Sequence, residues 1–222
     1  MSSRTVGGSV TALWMQQIRP DAPTEVLAVS QQERDWASGI PGTRAQLFLA
    51  SRSWMRNCLA TLHGSSPLQV PLQAPPSAPP RLRDGWGYVS LSHCADACLL
   101  GWSQQPIGVD LERGDRKLQA AKALVRRFFT ESEQSELIEL EGDQLRQQVL
   151  DRWLVKEAAI KWQQGSIAED LGFWEVSSTL RSAMHRNLDL EVAAQLRSQG
   201  AWRFGVVVSK KIFLQNCLLC IA

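Results

Sequence analysis

The chain has 222 residues, with 24 Lys and Arg against 22 Asp and Glu, 44% hydrophobic residues and nine Trp. That supplies a packed core for one large domain or two small ones, and a net charge of +2 gives no bulk argument for nucleic acid. No stretch approaches the roughly 20 apolar residues that span a bilayer, and Met1–Thr11 is polar without a secretory apolar run, which excludes a membrane protein and points to the cytoplasm.

In chain order, Val26–Val29 reads as a strand. Thr43–Leu62 reads as a helix, with Leu47, Ser51, Trp54, Cys58 and Leu62 at three- and four-residue spacing and Gly64 as its stop. Six of the ten prolines fall between Pro67 and Pro80, a composition for an extended surface loop. Three short strands follow, Trp86–Leu91, Ala97–Trp102 and Ile107–Glu112, close enough for hairpins. Lys117–Phe129 shows one apolar helical face, Thr130 with Glu133 forms a capping box that opens a short helix to Leu140, and Asp143 is placed to cap a long helix beyond. Strand character returns at Phe173–Ser177, Leu188–Ala193, Trp202–Val208 and Ile212–Ile221. The pattern predicts an α+β fold with largely antiparallel sheet, divided into an N-terminal half over 1–104 and a C-terminal half over 105–222.

Three acids stand out because their surroundings read as core. In the strand Gly108-Val109-Asp110-Leu111-Glu112, side chains alternate, so Asp110 and Glu112 share one face, and Gly108 leaves that face open to a ligand. Glu157 lies in Trp153-Leu154-Val155-Lys156-Glu157-Ala158-Ala159-Ile160-Lys161, a helix apolar most of the way round. An ionised carboxylate in such a place needs a counter-charge. For Glu157 an ordinary i, i+4 ion pair with Lys161 is the simple alternative, and for Asp110 and Glu112 a solvated strand face. Three hard oxygen donors without His or Cys suit Mg²⁺, which completes its shell with waters and substrate phosphates. Neither a P-loop nor a Gly-rich dinucleotide fingerprint is present.

These segments resemble the signature of the 4′-phosphopantetheinyl transferase superfamily, in its larger, surfactin-type branch. The resemblance rests on four ordered elements: Ser90-Leu91-Ser92-His93, Gly108 to Glu112, Arg127-Phe128-Phe129-Thr130 with Glu133, and Trp153 to Lys161. It implies two similar α+β halves related by a pseudo-twofold axis with coenzyme A between them. Asp110, Glu112 and Glu157 would hold Mg²⁺ with the pyrophosphate. Lys156 and Lys161 would flank the phosphates, Ser92 and His93 would contact the nucleotide, and Arg52 or Arg44 would reach the 3′-phosphate. The implied reaction transfers phosphopantetheine to a serine of an apo acyl or peptidyl carrier protein and releases 3′,5′-ADP. Glu157, directly or through a water, is the implied base, with Lys161 as donor to the developing charge and Asp110 beside them. Where the family has a Gly-Lys-Pro element this chain has Pro79-Pro80-Arg81, so Arg81 or Arg83 stands in for the lysine, and after Lys161 a Gly-rich loop ending in Pro-Leu is replaced by Gly165 to Leu171.

The stretch Arg113–Arg127 holds six basic residues and one acid, a surface suited to an acidic carrier protein, with Phe128 and Phe129 at its end. Three other readings compete. A nucleic-acid module would use that basic stretch but leaves the embedded acids unexplained. A zinc site from His93, Cys94, Cys98, Cys217 and Cys220 meets the objection that strand residues three apart face opposite ways, so the five cysteines read as free thiols. A non-catalytic scaffold that only binds carrier proteins conflicts with the intact acids. A fold that pairs its own halves has little need to dimerise, so a monomer is expected.

Overall fold

The computed structural model describes residues 11–18, 28–210 and 217–221. Eleven strands and six helices occur among these residues. β1 (Thr11–Gln17) is followed by α1 (Gln31–Ser38), α2 (Gly42–His63), β2 (Leu72–Gln73), β3 (Arg81–Leu82), β4 (Tyr88–His93), β5 (Ala97–Ser103) and β6 (Ile107–Arg113). Then come α3 (Ala121–Phe128), α4 (Glu131–Leu137), α5 (Gly142–Gln163), α6 (Ile167–Asp170), β7 (Trp174–Val176), β8 (Ser182–His185), β9 (Leu190–Gln199), β10 (Trp202–Ser209) and β11 (Cys217–Ile221).

Two main sheets result, ordered β11-β1-β5-β4 and β6-β10-β9-β8-β7, with β2 and β3 in a separate two-stranded sheet, and every pairing is antiparallel except β1 with β11. Strand alternation sorts their side chains into layers. Ala12, Trp14, Cys98, Leu100 and Trp102 pack against Trp54, Met55 and Leu59 of α2. From the other face of the same strands, Leu13, Met15, Ala97 and Leu99 meet Ile107, Val109, Leu111, Phe204 and Val206 of the second sheet. That sheet's far face, with Val192, Ala194 and Val207, is covered by Val155, Ala158, Ala159 and Ile160 of α5. The order of layers is therefore α2, sheet, sheet, α5, and each 22-residue helix covers one sheet. The chain's last strand returns to the first sheet beside β1.

Local signals account for most boundaries. Gly64 closes α2 in the left-handed conformation at φ 62°, and Thr130 and Glu133 form the expected reciprocal cap of α4. Two expectations are corrected here. Asp143 is not a cap: Glu141 holds that position, and Asp143 lies in the first turn of α5, paired with Arg146. The helix expected from Lys117 begins at Ala121, because Ala120 takes a left-handed backbone at φ 59°, although Leu118 still packs with Ala121 beside the Val125 cluster. Of the strand expected at Val26–Val29, Val26 and Leu27 lie outside the described residues, and Ala28 and Val29 are in no strand. Of Ile212–Ile221, the first five residues lie outside as well.

The contact between α5 and the second sheet is unusually close. An added Cβ at Gly108 would lie 1.8 Å from the Ala158 carbonyl oxygen and 2.7 Å from the Trp162 nitrogen, and one at Gly205 would lie 2.9 Å from the Leu154 oxygen. Gly108 thus admits the backbone of α5, where an open face for a ligand was expected. The same approach sets Glu157 and Lys161 beside the acidic face of β6.

Candidate functional site

At the junction of the two sheets, the edges of β4 and β6 run side by side. Ser90 Oγ accepts from the Val109 N–H at 3.0 Å, and Ser92 Oγ accepts from the Leu111 N–H at 3.1 Å. Two serine hydroxyls thereby satisfy edge donors that the ladder to β10 leaves over. Ser92 then donates its proton to Asp110 Oδ1 at 2.7 Å. Lys161 Nζ, reaching from the last turn of α5, donates to the same Oδ1 at 2.6 Å and to Ser92 Oγ at 2.9 Å. Ser92, Asp110 and Lys161 form one knot that joins the two sheets and α5.

Asp110 is buried, and its second oxygen, Oδ2, has no hydrogen-bond partner. A buried carboxylate oxygen left unpaired is costly and calls for a further donor or a cation. Glu157 stands close by, its carboxyl pushed up to about 7 by burial first and then by the charges of Asp110 and Glu112, against the pull of Lys161 and Trp153. Trp153 Nε1 donates to Glu157 Oε1 at 2.5 Å. Glu112 is half-buried, raised by burial and by Asp110, and paired with Arg116. The i, i+4 alternative for Glu157 is not what forms: Lys161 spends its ammonium on Asp110 and Ser92. As they stand, no three His, Cys, Asp or Glu side chains among the described residues form a group able to hold a metal ion. Each acid is turned to its own donor: Asp110 to Lys161, Glu112 to Arg116, and Glu157 to Trp153.

The raised Glu157 carboxyl gives a pH test. A carboxyl whose folded-state value lies above its ordinary 4.5 contributes stability that is complete below about 4.5 and is lost as pH rises through about 7. Urea denaturation between pH 4.5 and 8 should show that decline, Glu157→Gln should remove it, and added Mg²⁺ should offset it above pH 7. A wild-type curve flat over this window would contradict the clustering of charge.

The other expected residues divide. His93 is at the exposed end of β4, held below its ordinary value by partial burial and then by the cations Lys161 and Arg52. Arg52 is lowered to about 10 by burial, lies over the Phe48 ring, and donates to the Ala74 carbonyl at 2.9 Å, so it also pins the Pro-rich loop. Arg44 is exposed in the first turn of α2, and Arg56 is buried against Glu33 at 3.0 Å.

Lys156 departs from expectation. One position before Glu157, it is turned by 100° to the other side of α5. There it is fully buried, 2.8 Å from Glu133, over the Phe129 ring, with the Phe128, Leu171 and Trp174 carbonyls around it. Lys156 therefore does not flank the site; it ties α4 and β7 to α5, as Glu133 also accepts from the Val176 N–H. Lys156→Met would strand the Glu133 carboxylate and should cost about 3–5 kcal/mol, read as a melting temperature about 10 °C lower. Any effect confined to coenzyme A affinity, with stability unchanged, would overturn this placement.

Sequence reasoning missed the donors Ser90 and Trp153, although the i, i+4 spacing of Trp153 and Glu157 carried the signal. It also missed Asp96, which joins the halves by accepting from Trp202 Nε1 and Arg113. Half of the basic stretch is neutralised: Arg113 pairs with Asp96 and Asp115, Arg116 with Glu112, and Lys122 with Glu141. Phe129 is core, and Phe128 packs edge-on against Trp153. Cys94 and Cys98 are free thiols, and the side chains of Cys217 and Cys220 lie outside the described residues.

Fold and site together define an α+β protein with a buried acid and lysine knot at the seam of two sheets. A model of the 4′-phosphopantetheinyl transferase superfamily matches residues 106–208, and this part of the chain is similar to that superfamily. Asp110, Glu112, Lys156, Glu157 and Lys161 lie inside the matched span; Arg44, Arg52, Ser92 and His93 precede it. No curated protein matches the chain. That match supports phosphopantetheine transfer in general, and the matched family implies coenzyme A and a carrier protein as partners. Among the described residues no helix is long and apolar enough to cross a membrane.

Proposed function

We propose that this protein is a phosphopantetheinyl transferase of the surfactin-type branch that moves the 4′-phosphopantetheinyl group of coenzyme A to a serine of apo acyl or peptidyl carrier proteins in the cytoplasm. The observation that carries the reading is the unpartnered buried Oδ2 of Asp110 beside a Glu157 whose ionisation Asp110 and Glu112 oppose. Turned from their present donors toward one another, Asp110, Glu112 and Glu157 would serve as protein donors to Mg²⁺, and a hard cation would relieve both the orphaned oxygen and the mutual repulsion. When bound, that ion would neutralise charge growing on the pyrophosphate during phosphoryl transfer.

The chain's own residues supply the rest. Lys161, on a partly exposed stem, exchanges its bond to Asp110 for a phosphate oxygen and stabilises charge on the leaving 5′-phosphate of 3′,5′-ADP. Glu157, with a value near neutrality, accepts the serine proton while the serine oxygen bonds to phosphorus and the bond to 3′,5′-ADP breaks. Trp153 orients that carboxyl. Arg52 and Arg44 offer a cationic end for the 3′-phosphate with the His93 ring beside it, and Arg81 is the cation nearest the missing Gly-Lys-Pro lysine. Exposed Arg126 and Arg127 at the end of α3 remain for an acidic carrier.

Purified protein, coenzyme A, Mg²⁺ and several apo carrier proteins should give, by intact mass, a carrier heavier by one phosphopantetheine, with none when Mg²⁺ is chelated. No gain on any carrier would defeat the reading.

A further inference from the structure

Beyond Lys161 lies the segment Gly165 to Leu171, which stands where the family has its Gly-rich loop, and its side chains are tightly organised. Helix α5 ends on Gln164, whose backbone is left-handed at φ 60°, a conformation that disfavours side-chained residues. The neighbouring Gly165 is not left-handed; its lack of a side chain admits Asp170, since a Cβ there would lie 2.2 Å from Asp170 Oδ2. Asp170 takes three donors: the Ser166 N–H at 2.8 Å on Oδ2, and Gln163 Nε2 and His185 Nε2, each at 3.2 Å, on Oδ1. The Asn187 N–H points at His185 Nδ1, which fixes that nitrogen as the acceptor and Nε2 as the donor to Asp170. Gln163 Oε1 accepts in turn from Trp174 Nε1 at 2.9 Å. His185 is buried, its ring edge-on to Trp174.

This network nails the end of α5 to β7 and β8. What it holds in place faces the seam: Lys161 bonded to Ser92, and Gln164 Oε1 accepting from Arg81 at 3.1 Å, both reaching residues of the N-terminal half. Arg81 and Gln164 also line a groove of about 730 Å³. That groove shares Pro80, Tyr88, Val89 and Gln164 with a cavity of about 60 Å³ reaching Lys161 and Trp162. The last turn of a helix is otherwise its weakest part, since its carbonyls lack partners.

We infer that Asp170 and His185 are positioning residues for coenzyme A binding: they fix the C-terminal turn of α5 so that Lys161 and Gln164 meet Ser92 and Arg81 across the seam. The functional half of this inference rests on the proposed transferase reading, and the positioning half does not. Hydrogen exchange read by mass spectrometry on the free protein, and calorimetric titration with coenzyme A and Mg²⁺, test both halves. His185→Phe fills the space without a donor, and His185→Gln keeps one donor and one acceptor. The first should speed exchange of the Gln164 and Gly165 amides about tenfold and weaken coenzyme A binding about tenfold, while the second stays near wild type. Combined with Arg81→Ala, the loss from His185→Phe should be smaller than in the wild-type background, because both act through one contact. Unchanged exchange in that turn, or losses that multiply in full with Arg81→Ala, would overturn the inference. If wild-type protein does not bind coenzyme A, the transferase reading falls and the exchange measurement alone decides the positioning.

Discussion

Replacing Asp110 by Ala should lower kcat/KM for carrier modification by about a thousandfold, a loss of about 4 kcal/mol in transition-state stabilisation. The size follows from what converges on this side chain. Its Oδ1 holds Ser92 and Lys161, and its buried Oδ2 is the free acceptor that a cation would use. Asp110→Asn separates charge from shape. The amide keeps an acceptor toward Ser92 and Lys161 and fills the same volume, so it should fold as wild type yet lose nearly as much activity as the Ala variant. Removing the charge also relieves Glu157, whose carboxyl Asp110 helps to push up to about 7. The fall of stability with rising pH should therefore move to lower pH in Asp110→Asn. An Asn variant retaining more than about a tenth of wild-type kcat/KM would show that the negative charge is not what the site uses.

The largest expected stability effect belongs to a residue with no side chain. Gly108→Ala should cost more than about 5 kcal/mol, enough to leave little folded protein. The added Cβ would sit 1.8 Å from the Ala158 oxygen and 2.9 Å from its carbonyl carbon, and these are backbone atoms of α5 that no rotamer change can clear. Relief requires α5 to lift from β6, and lifting it separates Lys161 from Asp110 and Ser92. Gly205→Ala meets the Leu154 oxygen at 2.9 Å and should cost less, about 1–3 kcal/mol. Urea midpoints for the two variants should therefore rank clearly, and a Gly108→Ala protein as stable as wild type would refute the close helix packing.

Much of this was written in the sequence because periodicity and capping are local. The helix expected at Thr43–Leu62 is Gly42–His63, the strand at Ile107–Glu112 is Ile107–Arg113, and the Thr130 capping box opens α4 as expected. The shared face of Asp110 and Glu112 followed from strand alternation alone. What the chain hid depends on partners remote in sequence. Gly108 reads the same whether a ligand or a helix backbone comes close. Lys156 and Lys161 sit in one motif, but a separation of about 140° round the helix commits the first to Glu133 on α4 and the second to Asp110 on β6. β1 and β8 lack strong turn signals, and α1 is short and polar, its buried Glu33 serving Arg56 of α2, a contact 23 residues away. The network around Asp170 depends on His185, which belongs to a strand that the sequence did not announce.

The central claim is that acids from β6 and α5 share one divalent cation with the pyrophosphate of coenzyme A. The most direct measurement is a crystal structure grown with coenzyme A and Mn²⁺, read by anomalous scattering. The account predicts one peak ligated by Asp110, Glu112 and Glu157, with Lys161 moved from Asp110 to a phosphate oxygen. An ion bound away from these three side chains, or a pyrophosphate seated with Lys161 still on Asp110 and no peak beside it, would contradict it.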